Sequence, residues 1–219
     1  MNEKKELNNY EKSLLRAEAE FLRFDQTEII KASDLSADER FIYVTFFYAS
    51  YRIDRQTGRV EAMEADGTIR HADFSEGMSI FDAICEPTPF RSLSGDYVDT
   101  GYFTKIGSGG GVGLSQLRYA EFFLEEQARY KEVCTSLGAK PFGRCDIGFE
   151  FAVFPFLPMV IQLWEGEEGI PPAIRCLWDR NAKDFLRFET MMYAVGHIMR
   201  TLTKAIGGEK AEKVLENWV

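Results

Sequence analysis

The sequence predicts an α+β fold: a mainly antiparallel sheet of about five or six strands flanked by helices. Three observations carry this. β-branched and aromatic runs bunch at 41–63 and 147–178, as strands do. Segments with apolar residues at helical spacing lie around them. Within each bunch the runs adjoin through turn-like stretches and do not alternate with helices, which favours antiparallel neighbours over parallel crossover units. Residues 1–39 read as a helical extension and 40–219 as a single domain.

Taken in order, Leu14, Leu15, Phe21, Leu22, Ile29 and Ile30 recur among charges without Pro or Gly, which predicts a helix over 8–32. "FIYVTFFYASYRID", 41–54, reads as one strand, and "DRQTGRV" turns it back into "VEAME". "ADGTIRHADF" reads as a further turn or short strand. Ser75 can cap a helix that starts near Glu76 and stops at Pro87. Residues 85–113 form an irregular, glycine-bearing middle, long enough to suggest a functional loop. A helix over about 114–137 ends at Gly138. "DIGFEFAVFPF", "MVIQLWEG" and "AIRCLWD" read as three successive strands. From Phe188, apolar residues at 191, 192, 195, 198, 199, 202 and 206 form one stripe, with Tyr193, His197, Arg200 and Lys204 opposite. A short helix closes the chain.

Bulk properties remove several function classes. With 45% hydrophobic and 14% aromatic residues the chain has material for a core, so wholesale disorder is excluded. Eighteen phenylalanines point to aromatic packing or a flat-ligand pocket. A net charge of −9 argues against nucleic acid and against an anionic membrane surface. No signal-peptide core and no membrane-length apolar run is present, so a cytoplasmic protein is expected. Cys85, Cys134, Cys145 and Cys176 contain no C-x-x-C pair, which argues against a local zinc knuckle or ferredoxin-type cluster. With only His71 and His197, and no G-x-S-x-G elbow, nucleophilic catalysis has little support.

Three candidate sites remain. The cluster "KIGSGGGVGLSQL" precedes a helix but matches neither phosphate-loop register. Gly109, Gly110 and Gly111 would let bare backbone approach a flat ligand, and Trp164 could meet such a ligand with its ring. Glu126 falls among Tyr119, Phe122, Tyr130 and Val133 on one helical face, where desolvation disfavours a charge. With Asp179 it is the candidate for acid–base work. Glu165, Glu167 and Glu168 in "WEGEEGIPP" could hold a cation, Asp179 supplementing them, if their carboxylates converge. The other reading of that stretch is a solvated hairpin end.

The segment "FPFLPMVIQLWEGEEGIPPAIRCLWDRNAKDFLRFETM" resembles the signature of a family called domain of unknown function 3786. That signature has a proline-flanked strand, "W-E-G-D-E-E", a Pro-Pro turn and then "L-F-D". "FFYASYRIDRQTGRV", "MSIFDAIC" and "LSGDYVDTGYF" extend the resemblance over roughly 40–206. Glu167 stands where the pattern prefers Asp, Trp178 for Phe and Phe185 for Tyr. The resemblance implies a setting in anaerobic bacteria and archaea. It also implies an association with corrinoid or another tetrapyrrole, or with iron–sulfur proteins, since some members carry a four-cysteine module. Residues 1–40 hold no such module. The resulting expectation is a binding or accessory protein of anaerobic metabolism that takes a flat cofactor or a partner protein. The alternative is a small-molecule enzyme using buried carboxylates, with or without a metal.

Overall fold

A computed structural model describes residues 7–85, 91–104 and 114–216. The glycine cluster that includes Gly109, Gly110 and Gly111, and the predicted stop at Pro87, lie outside the described residues. Chain contacts divide the protein into two compact units, Met1–Arg91 with Asp184–Ala194 and Ser92–Lys183 with Val195–Val219. The α+β class and the antiparallel pairing hold. The strands form two sheets of five, where the sequence predicted one sheet of five or six.

In the first unit the helix predicted over 8–32 is two helices, α1 (Asn9–Phe21) and α2 (Gln26–Ala32). Asn8 and Glu11 cap α1 reciprocally, and the Asp25 carboxylate caps α2 by accepting the Thr27 and Glu28 amides. The first sheet follows, β1 (Ser36–Ala37), β2 (Phe41–Phe46), β3 (Ala49–Asp54), β4 (Val60–Met63) and β5 (Ile69–His71), paired in chain order. The strand predicted across 41–54 is a hairpin. Phe47 and Tyr48 both take positive φ, 42° and 62°, as a two-residue hairpin turn requires. Glycine or asparagine usually signals such a turn; here two aromatics hold it, their rings packed edge to face at 5.5 Å.

α3 (Phe74–Cys85) closes the first unit's main run. Its cap is Asp73, whose Oδ1 accepts the Glu76 amide while Glu76 accepts the Asp73 amide. The sequence placed that cap at Ser75. Contacts between α1 and α3 advance together: the Tyr10 and Phe74 rings lie 5.0 Å apart, Leu14 meets Gly77, and the Phe21 and Phe81 rings are 5.5 Å apart. The two helices therefore run side by side in the same direction. A Cβ on Gly77 would overlap the end of the Leu14 side chain, which would have to shift, so glycine there makes room for Leu14 in its present position.

In the second unit β6 (Tyr97–Asp99) precedes a 3₁₀ turn, then come α4 (Leu114–Glu125), α5 (Gln127–Ser136), β7 (Lys140–Pro141), β8 (Ile147–Phe154), β9 (Leu157–Trp164) and β10 (Ala173–Asp179). The helix predicted over 114–137 thus breaks at Glu126. The sheet order is β6-β10-β9-β8-β7. Cross-strand rows such as Phe149–Ile161–Cys176 and Phe151–Met159–Trp178 form its core face. Against that face Tyr130 of α5 meets Phe149 edge-on at 6.0 Å and stacks on Phe123 at 4.8 Å. On the opposite face the Tyr97 hydroxyl donates to Glu150 at 2.8 Å although two strands lie between them, which shows how strongly the sheet curls. α6 (Phe188–Ile206) and α7 (Glu209–Glu216) follow as the sequence predicted. Among the described residues no helix is long and apolar enough to cross a membrane.

Two glycines with left-handed backbones separate conformational cost from collision. Gly58 (φ 74°) lies so close to the Glu18 carbonyl that any Cβ would clash, whereas Gly67 (φ 84°) has nothing within 4 Å. Gly67→Ala is expected to cost about 1 kcal/mol, and Gly58→Ala on the order of 3 kcal/mol. Urea unfolding midpoints check this; equal shifts would show that α1 does not pin the β3–β4 turn.

Candidate functional site

A cavity in the first unit is built from helical spacing. Ala17, Phe21 and Phe24 recur along and just beyond α1, and Met78, Phe81 and Asp82 recur along α3. They line a half-open space of about 130 Å³. Phenylalanine side chains and the Met78 thioether form the apolar part of the wall, and polar groups form an equal part. The polar edge is an ion pair: Arg187 Nε lies 3.2 Å from Asp82 Oδ1, and the Arg187 amide donates to Asp82 Oδ2 at 2.7 Å. The Asp82 side chain is only 8% exposed and the Arg187 side chain 63%, so a buried carboxylate orients a guanidinium that reaches the surface. Glu20 completes the rim. The sequence reading named none of these as site residues. The apolar spacing of the two helices was visible, but not that they pack in parallel, nor that Arg187 closes one side.

The acidic stretch that drew attention in the sequence is a hairpin end. The Glu167 and Ile170 amides and carbonyls bond reciprocally at 3.0 and 2.9 Å, and Gly169 takes φ 82° between them. Glu165, Glu167 and Glu168 are all exposed. Among the described residues they do not converge to metal-ligand distance. The Glu165 amide donates to Asp146 Oδ2 at 2.8 Å. Glu165 and Pro172 line an open cleft of about 360 Å³ together with Glu121, Leu124 and Glu125. Lys210 already pairs with Glu125 at 2.7 Å. Trp164 is half-buried, and the Arg175 guanidinium lies 5.0 Å from its ring centre.

Glu126 sits at the break between α4 and α5, half-buried, while its neighbours Glu125 and Gln127 line the cleft. Asp179 is elsewhere and structural in its contacts. It accepts the Ser94 amide and hydroxyl at 3.0 Å, the Gly95 amide at 2.8 Å and the Asn181 amide at 2.8 Å. Burial alone would raise its pKa; these bonds together outweigh that and hold it below the usual carboxylate range. His71 Nε2 contacts Glu18 Oε1 at 2.6 Å. His197, which the helical pattern placed on a polar face, is only 8% exposed, with Nε2 3.4 Å from the Thr201 hydroxyl. Desolvation pushes the buried thiols of Cys134 and Cys176 each up to about 12, far from a thiolate nucleophile.

Two further buried carboxylates, Glu76 and Glu18, escaped the sequence reading. Glu76 receives both Arg70 terminal nitrogens at 2.6 Å, the Tyr51 hydroxyl at 2.8 Å and the Asp73 amide at 2.7 Å. Glu18 accepts the Val60 amide at 3.0 Å in addition to its contact with His71. A signal existed for each. Asp73 and Glu76 have capping-box spacing, and Leu14, Glu18 and Phe21 share one helical stripe.

No curated protein and no solved structure matches the chain. A family model does match, over residues 25–201, and its description is "Domain of unknown function (DUF3786)".

That match gives no residue a role, and the geometry makes a definite demand of Asp179. Because its folded pKa is lowered, its contribution to stability is present above the unfolded value and is lost as pH falls through the folded one. Asp179→Asn is expected to cost about 2 kcal/mol at neutral pH. Melting curves of the two proteins should converge in acid, below the usual carboxylate range. A difference that persists undiminished there would mean the charge is not what holds the Ser94–Gly95 loop.

Proposed function

This chain belongs to the DUF3786 family, and we propose that it is a binding protein whose small-molecule site is the aromatic pocket between α1 and α3. The observation that carries this is the pocket itself: a ring-sized space with three phenylalanines, a thioether and one oriented ion pair. Binding sites are concave and combine apolar surface with a few fixed polar groups, and this pocket sets Met78 and phenylalanine side chains beside the Asp82–Arg187 pair. The carboxylate-enzyme alternative has weaker support. A general acid or base must be open to substrate, and the buried acids Glu18, Glu76, Asp82 and Asp179 are each engaged by cations or amides.

A cavity of about 130 Å³ suits one ring or a compact head group. A corrinoid or other tetrapyrrole would need a different and larger surface. A partner protein remains the second form of the binding reading, supported by the cleft of Glu121, Glu125 and Glu165, whose charge suits a basic segment. The net charge of −9 supports a partner other than nucleic acid. The family resemblance supports a cytoplasmic role in an anaerobe.

Saturation-transfer NMR of the full chain against a fragment set of single rings and small branched amines tests the pocket. Binding is expected in the wild type and its loss in Ala17→Phe, which fills the space, with circular dichroism confirming the fold. Fragments that bind both proteins equally would place the site elsewhere. Absence of any binder would remove the reading.

A further inference from the structure

We draw no further inference here: the strongest candidate, the open acidic cleft between the α4–α5 junction and the β9–β10 hairpin end, carries none, because Glu121, Glu125 and Glu165 are exposed, Lys210 already pairs with Glu125, and nothing in the structure shows what covers it.

Discussion

The Glu76 carboxylate is only 2% exposed, and two guanidinium nitrogens, a phenol and a backbone amide all donate to it. An isolated charge at that depth would be prohibitive. With Arg70 bidentate, each oxygen has a charged donor and a second hydrogen bond. The contacts come from β3, β5 and the residue that caps α3, so satisfying this one group fixes the helix against two strands of its own unit. Burial and the adjacent carboxylate in turn raise the Tyr51 phenol well above its ordinary pKa, which keeps it a donor. Losing one partner would leave the charge uncompensated, the costly case for buried ion pairs.

The same requirement recurs at other buried acids. Glu18 ties α1 to the first residue of β4 and to His71, the last of β5. Asp54 accepts the Gln56 and Thr57 amides and so shapes the turn between β3 and β4. In the second unit Asp179 fastens the Ser94–Gly95 loop to the end of β10. An acidic protein that buries carboxylates must give each one donors, and at Glu18 and Asp179 several of these come from segments distant in sequence. Acids committed in this way are poor candidates for proton transfer. The pocket differs because its buried acid, Asp82, holds a side chain that itself reaches solvent.

Local structure was legible wherever a periodic pattern and a conventional terminator coincided. The helices from Phe188 and Glu209 and the three strands of 147–179 were placed correctly for that reason. The β2–β3 turn was not, because Phe47 and Tyr48 supply the left-handed pair that glycine or asparagine usually announces. The helix breaks at 22–25 and at Glu126 were hidden for a related reason: neither contains Pro or Gly, and the apolar spacing runs through both. The candidate site was the least legible part. "WEGEEGIPP" is conspicuous because hairpin ends concentrate acids and glycines, and its glutamates are solvent-facing. Phe21, Phe81 and Asp82 look ordinary on their own helices and become a pocket only through packing between segments about sixty residues apart.

Parallel packing explains why that space exists at all. Neighbouring helices joined by a short loop run antiparallel; parallel ones need a long connection, and here the entire first sheet supplies it. At the level of Leu14 its side chain packs onto α3 at Gly77, which offers no side chain of its own. One to two turns further on, the facing residues are Ala17 on α1 and phenylalanines on both elements. Phe21 and Phe81 close on one another, their ring centres 5.5 Å apart and neither more than 6% exposed, so this level of the interface is well packed. The space lies beside that pair, where Ala17 is short and Phe24 stands beyond the end of α1. Asp82 of α3 meets Arg187 there, so the side of the space that packing leaves unfilled is closed by an ion pair whose guanidinium reaches solvent.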